Sequence, residues 1–420
     1  MSNSKTLCIL PWLHRFTSEQ GFHQICCSGE GPRKRLRDKD GHPLHINQAL
    51  TDEELLNSPD LKAIRIAMLN EEWPSACERC RRSEEAGAKS VRQYMNDRFQ
   101  HHWPEVLEQT VEDGTLSNPR VRYADIRLGN VCNLTCRMCG PGASRLWSDH
   151  YNEVQPPRFR ILAAQLEDMK VNNWVKRQPA RWLIEQCISS VEALQFAGGE
   201  PFIIPEMIEM LEVCVDSGRA DQIALSYHTN LTVLPEKVTR LWPHFRSVTV
   251  ICSVDGVGPL NEYIRRPSKW SDVDQNLHKL DAHCEEWNLR KIQFNTTVQI
   301  YNILSLADFF DYMGDNFKHV GPVPTFSPLY QPNYLSIANL PDDVKQIASD
   351  RLLSARSKAI TRYRGYIQLT SVDTIIALMQ KPSHPNGLKD FLYFTEKTDH
   401  EFKDSWARSC PELYDLLMRR

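Results

Sequence analysis

The sequence lacks a membrane span. No apolar run among the 420 residues approaches the roughly 18 that a membrane-crossing helix needs, so no membrane partner is expected. The opening MSNSKTLCILPWLH has no basic stretch followed by a long apolar one. No secretory signal is expected, therefore, and a cytoplasmic location is. Charge of one sign is also missing. The formal net charge is −3, so no overall field draws the chain to nucleic acid or to an anionic surface. There is no internal repeat and no low-complexity stretch. With 41% hydrophobic and 25% charged residues, the balance is that of a globular protein, which excludes a disordered or fibrous chain. The length calls for two or three domains.

What the chain has in excess is cysteine, thirteen of them. In a reducing compartment structural disulfides are rare, and clustered cysteines are more often metal ligands. Eight fall into three groups: Cys8 with Cys26 and Cys27, Cys77 with Cys80, and Cys132 with Cys136 and Cys139. The dispersed five, Cys187, Cys214, Cys252, Cys284 and Cys410, read as small buried hydrophobes. Cys214 and Cys284 fall on the apolar stripes of predicted helices.

Residues 1–115 hold few long apolar strands and five of the cysteines. The stretch 58–70 reads as a helix with Ser58 as N-cap, Pro59 at the first position, and Leu61, Ile64 and Met68 on its apolar face. From residue 120 the texture changes. Short apolar runs at 121–128, 191–197, 222–228, 247–253, 291–298 and 324–330 alternate with helical patterns. The helix over 203–218 is predicted to face inward through Ile204, Ile208, Leu211 and Val215 and to stop at Gly218. The helix over 271–287 opens with Ser271 and Asp274 as a capping-box-like pair and shares Leu277, Leu280, Cys284 and Trp287 on one face. Six strands alternating with helices imply a parallel sheet with right-handed crossovers. Ligands in such sheets bind at the C-terminal strand ends. The informative residues lie there: CNLTCRMC after the first strand, GGEP after the second, His228, Thr229 and Asn230 at the third, Ser253 and Asp255 at the fourth.

CNLTCRMC, residues 132–139, spaces its thiols C-x3-C-x2-C. A structural zinc site takes four ligands, usually as two C-x2-C pairs. Three thiolates on one tight loop suit an iron–sulfur cubane with one iron left open to a ligand. In spacing and order these motifs resemble those of radical S-adenosylmethionine (SAM) enzymes, over roughly residues 120–330. The resemblance implies a partial (β/α)6 TIM-like barrel within an α/β fold. It implies that Cys132, Cys136 and Cys139 hold a [4Fe–4S] cluster and that SAM chelates its open iron. One-electron cleavage of SAM would give a 5′-deoxyadenosyl radical that abstracts a substrate hydrogen. By the same resemblance, Gly198, Gly199, Glu200 and Pro201 support the SAM amino group. Ser253 and Asp255 reach its ribose or methionine end, and Asn230 lines the cavity. Arg265 or Arg266 pairs with its carboxylate, and Val298 with the residues after it packs the adenine. Met138 stands where the family often has an aromatic residue; a thioether still packs on a purine face. Singly, GGEP is also an ordinary turn, Ser253 and Asp255 a strand-end turn or cap, and the arginines a solvated surface.

The N-terminal segment resembles SPASM and twitch auxiliary-cluster domains, with Cys8, Gly21 and Cys26 in the expected order, although those domains usually follow the barrel. This implies a small cysteine-rich metal-binding domain in which Cys8, Cys26, Cys77 and Cys80 hold a second [4Fe–4S] cluster. Cys27 is the alternative to Cys26, and zinc the alternative metal. His14 and His23 read as packing residues, Trp12 as core, and the run RKRLR (33–37) as a solvated loop. Expected domains are 1–115 for the auxiliary cluster, 116–330 for the barrel and 331–420 for an extension in which no motif can be placed. The expected substrate is a peptide, with a sugar or nucleoside as the second reading; no leader-binding domain is recognisable. The expected electron donor is a flavodoxin or ferredoxin. The competing class is a non-catalytic zinc-binding interaction protein.

Overall fold

The computed structural model describes residues 4–31, 34–85, 87, 89–171, 174–176, 180–321, 324–362 and 370–419. Arg33 of the RKRLR run lies outside them. Among the described residues no helix is long and apolar enough to cross a membrane.

All six expected strands are present, as β3 to β8 below. Two short N-terminal strands precede them. In chain order they are β1 (His14–Thr17), β2 (His23–Gln24), β3 (Tyr123–Arg127), β4 (Ala193–Ala197), β5 (Ala224–Thr229), β6 (Ser247–Ser253), β7 (Leu289–Val298) and β8 (Thr325–Pro328). They form one open sheet in the order β2-β1-β3-β4-β5-β6-β7-β8, a mixed α/β arrangement consistent with an incomplete TIM-like barrel. β1 pairs parallel with β3 and β3 with β4, while β1 and β2 pair antiparallel. β6, β7 and β8 also pair parallel in sequence. β1 escaped the sequence reading because all four of its residues are buried, so HRFT shows no alternation.

The chain divides into two compact units. The first comprises 1–129, 173–226 and 244–247; the second comprises 130–172, 227–243 and 248–420.

In the first unit the helix Pro59–Leu69 buries Leu61, Ile64 and Met68 as expected. Each such side chain is worth about 2 kcal/mol of apolar burial. Ser58 occupies the N-cap position, but its hydroxyl finds no partner, so the start rests on Pro59 and its fixed φ. Arg65 on the same face is fully buried, donating to the Gly114 and Pro11 carbonyls at 2.7 and 2.8 Å. Around the helix Pro205–Asp216, Ile204 at the N-cap and Leu211 are buried as expected, but the rest of the expected face is corrected. The helix buries Met207, Met210, Leu211 and Cys214, whereas Ile208 and Val215 are half-buried. Apolar residues fill two stripes of this helix, and periodicity alone cannot choose between them. Trp12 is core: it meets Trp103 edge-on and donates from Nε1 to Thr110 Oγ1 at 2.9 Å. Leu36 of the RKRLR run is buried and Arg35 lies over the Phe22 ring at 4.3 Å, so this run is not simply solvated.

In the second unit the helix Trp270–Ala282 starts one residue early, at the N-cap Lys269. The Ser271–Asp274 cap is not formed: the Trp270 N–H donates to Glu262 Oε1 at 2.7 Å, and Asp274 accepts from Tyr312 Oη. Leu277 and Leu280 are buried as expected. Cys284 and Trp287 lie beyond the helix end and are half-buried.

Candidate functional site

The three-cysteine loop belongs to the second unit. Cys136 is buried; Cys132 and Cys139 are half-buried. Three backbone contacts pin the loop. Thr135 N donates to the Arg266 carbonyl at 2.6 Å, Arg137 N to the Ile264 carbonyl at 2.9 Å, and Cys139 N to the Cys136 carbonyl at 2.9 Å. Trp147 adds a fourth, from Nε1 to the Cys136 carbonyl at 3.1 Å. The loop is thus held against 264–266, which brings Arg265 beside the sulfurs. Its Nη1 lies 4.0 Å from Cys136 Sγ. Burial works against the Arg265 charge, but Asp255 first, and then the sulfurs of Cys136, Cys139 and Cys132, raise its pKa above the ordinary range. The bond between Cys136 and Cys139, then burial, raises the Cys136 thiol well above its ordinary range; the same bond, with Arg265, holds Cys139 below it against burial. A guanidinium beside thiols favours their anionic, metal-binding form.

Sequence reasoning offered Arg265 or Arg266 to a SAM carboxylate. In this structure Arg265 Nε is 2.8 Å from Asp255 Oδ2, with both side chains buried. Arg266 pairs with Asp404 at 3.2 Å and sits over the Phe402 ring at 4.0 Å. Asp255 is further fixed by the Thr297 N–H, which donates to Oδ1 at 2.6 Å, and its own N–H donates to Asn261 Oδ1 at 3.0 Å. Burial lifts the Asp255 carboxyl above its usual range, against the pull of Arg265. Asn230 Nδ2 lies 3.9 Å from Cys132 Sγ and donates to Asn133 Oδ1 at 2.9 Å. Ser253 ends β6 half-buried, and Met138 is half-buried in the loop. Val298 is buried at the end of β7. The next residue, Gln299, is fully buried with neither amide atom hydrogen-bonded. Orphaned amide atoms at that depth are rare unless a ligand or water answers them.

Sequence reasoning missed Arg137, inside the loop between two of the cysteines. Its side chain is 1% exposed and ion-paired with Asp399 at 2.5 Å and with Asp404 at 3.5 Å. Its guanidinium lies 3.6 Å from the centre of the Tyr263 ring. Asp399 also accepts from Tyr263 Oη and from Trp406 N, each at 2.8 Å. Asp399 sits on the helix Gly387–Phe402, so the C-terminal extension is clamped to the cysteine loop. An arginine flanked by cysteines was visible in the sequence. A partner 262 positions away was not.

The GGEP turn belongs to the first unit. Gly198 has φ +78°, and a Cβ there would come within 3.0 to 3.1 Å of Gly129 O and the Arg127 backbone. Only glycine meets both demands. Glu200 is fully buried and accepts from the Phe202 N–H at 3.1 Å, heading the short turn of helix Pro201–Ile203.

The first unit also brings Cys8, Cys26, Cys77 and Cys80 to the wall of one cavity, with Met68 and Arg92. Cys27 is exposed and is not among the lining residues, and neither are His14 and His23. Gly21 turns the chain before Cys26 at φ +83°, where a Cβ would strike the His45 ring at 2.7 Å. Burial, then the sulfurs of Cys77 and Cys80, push the Cys8 thiol far up. Burial and Cys80 push Cys77 up to about 12. Four converging thiols suit a thiophilic metal or cluster, and three on a separate loop suit a cluster with an open position. All thirteen cysteines are free thiols.

No protein-family model matches the chain, and no curated protein matches it. Among solved structures, native anSMEcpe with bound AdoMet is similar at 13% identity and a TM-score of 0.38, over 57% of this chain and 62% of that one. SuiB of Streptococcus suis bound to S-adenosylmethionine is similar at 15% identity and a TM-score of 0.34, over 72% of this chain and 64% of that one. The chain therefore spans less than two thirds of the length of either, and what it shares with them is a likeness of fold.

Proposed function

We propose that this protein is a radical SAM enzyme with an auxiliary metal centre, acting on a peptide. The observation that carries the reading is the loop itself. Cys132, Cys136 and Cys139 lie on one short loop in C-x3-C-x2-C spacing, and the Arg265 guanidinium stands 4.0 Å from the Cys136 sulfur. Cys132, Cys136 and Cys139 would hold a [4Fe–4S] cluster. When bound, it supplies the electron that cleaves SAM to methionine and a 5′-deoxyadenosyl radical. Arg265 stabilises the thiolates and, through Asp255, keeps a fixed orientation beside them. Gln299 offers a buried donor and a buried acceptor suited to the adenine edge. Gly198 and Gly199 let backbone approach the amino acid end of SAM, and Glu200 offers it a carboxylate. Asn230, Ser253 and Met138 belong to the same binding role. Cys8, Cys26, Cys77 and Cys80 would hold the second [4Fe–4S] cluster, able to accept an electron from a substrate radical or to bind substrate. A flavodoxin or ferredoxin would supply the first electron, in the cytoplasm. The peptide reading follows the SPASM-like N-terminal pattern. A sugar or nucleoside substrate is the second reading.

The test is anaerobic purification, reconstitution with iron and sulfide, iron counting, and assay of 5′-deoxyadenosine with dithionite and SAM. About eight irons per chain with deoxyadenosine formed is the expected result. Zinc without iron, and no SAM cleavage, would leave a cysteine-rich binding protein instead.

A further inference from the structure

Among the described residues two clusters of ligating side chains lie outside both thiol groups, both within the first unit, and the one at 101–102 includes a buried histidine. The short turn Gln100–His102 places two imidazoles side by side, with ring centres 4.1 Å apart. Both aim Nε2 at the same atom, Oε2 of Glu192, from 3.5 Å for His101 and 3.1 Å for His102. Glu192 immediately precedes β4, so turn and strand are tied at this point. The other carboxylate oxygen, Oε1, faces Arg122 Nη1 at 3.5 Å. The other nitrogen of His102, Nδ1, faces Glu105 Oε2 at 3.6 Å, and Glu105 is in turn held by Arg122 at 3.1 Å.

An ordinary ion pair explains one imidazole on one carboxylate. Here two imidazole nitrogens and one carboxylate oxygen all lie within 4.8 Å of one another, while the second oxygen faces Arg122. That is the arrangement around a small cation. Zinc bonds to nitrogen and carboxylate oxygen are about 2.0 to 2.1 Å, so the edges of a tetrahedral site are about 3.3 Å. The two N-to-O separations here, 3.1 and 3.5 Å, straddle that value. Metal-bound histidines characteristically set their second nitrogen against a carboxylate, which fixes the ring and strengthens the donor. His102 and Glu105 have that relation. His102 is nearly buried, with 7% of its side chain exposed, whereas His101 is 60% exposed, which leaves an open side for water as a fourth ligand.

We propose that His101, His102 and Glu192 form a divalent transition-metal site of the zinc type, with Glu105 as its supporting carboxylate. The site staples the turn at 100–102 to the start of β4. It is structural and does not depend on the proposed SAM chemistry. Nitrogen and oxygen donors select zinc, cobalt or nickel over the magnesium and calcium that all-oxygen sites prefer.

The test uses the full chain with its thiol sites already loaded with iron and sulfide, equilibrated by dialysis against micromolar zinc chloride. Metal is counted by mass spectrometry and melting followed in parallel. One zinc per chain beyond the iron is expected, with a melting point raised by zinc. His101→Ala, at the exposed ligand, and Glu192→Gln should each lose that zinc while keeping the iron. Glu105→Gln should weaken binding by about tenfold. Asp38→Asn, in the exposed Asp38, Asp40 and His42 group, should change nothing. No saturable zinc in the parent, or zinc retained by both His101→Ala and Glu192→Gln, overturns the proposal. Either result leaves the count of iron and the SAM assay untouched.

Discussion

The two groups of thiols sit in opposite electrostatic settings. At the 132–139 loop a buried guanidinium lies beside the sulfurs, and the Cys139 thiol is held below its ordinary range. In the N-terminal cavity burial and neighbouring sulfurs dominate, lifting Cys8 and Cys26 well above the thiol range and Cys77 to about 12. In the first group the two thiols diverge: the bond between them raises Cys136 well above the ordinary thiol range and lowers Cys139, while Arg265 pulls both down. In the second group burial keeps the thiols protonated, so a metal bound there, as proposed, would have to displace those protons and would couple to the folding of the segment around it.

The sharpest break in that comparison is to remove each group separately. Replacing Cys132, Cys136 and Cys139 with Ala should abolish deoxyadenosine formation and leave about four irons per chain, those of the N-terminal centre. Deoxyadenosine surviving in that variant would sink the assignment of the loop. Replacing Cys77 and Cys80 with Ser should also remove about four irons, while lowering the melting point, because the metal there replaces core as a staple. Unchanged iron would show that the cavity is not a metal site.

The clamp on the loop comes next. Asp399→Ala leaves the fully buried Arg137 with its Tyr263 carbonyl bond at 3.0 Å and, as counter-charge, the more distant Asp404 at 3.5 Å. Breaking a buried ion pair from one side costs about 3 to 5 kcal/mol. Urea unfolding should show a loss of that order, and Glu401→Gln, at a half-exposed pair with His150, should cost far less. Equal losses would mean that the Arg137 contact carries no special weight.

The smallest expected effect is one of pH and belongs to the first unit. Burial pushes both His14 and His23 down to about 3, so both are neutral when folded. Unfolded, they take up protons near 6.5. Their stabilising contribution is complete above that value and declines as pH falls from 6.5 toward 3, by about 1.4 kcal/mol per pH unit for each imidazole. Denaturation at pH 7.5 and 5.5 should therefore give a lower stability at the lower value, and His14→Phe should flatten the slope. A flat profile in the parent would show the rings are not buried as neutral groups.

Much of this was legible in the sequence, for reasons that can be named. Strands β3 to β8 announced themselves as apolar runs bounded by turn residues. The C-x3-C-x2-C spacing fixed a three-thiol loop because a few residues of chain leave little freedom. Gly198 marked a backbone position that no side chain fits. Ser271 and Asp274 misled, because the helix starts earlier and Glu262 holds its first N–H instead. The face of Pro205–Asp216 was misread because two apolar stripes compete on it, and only the packed neighbour decides between them.

Composition and local spacing, acting over a few residues, determined the thiol groups, the strands and the turn glycines. Tertiary structure alone decided that Cys26 rather than Cys27 lines the cavity, that Arg265 turns to Asp255, and that Asp399 closes on Arg137. Each of those choices joins side chains or cysteines that lie far apart in the chain or are adjacent and chemically identical. Their energies come from burial and charge pairing in three dimensions, and no short-range pattern records them.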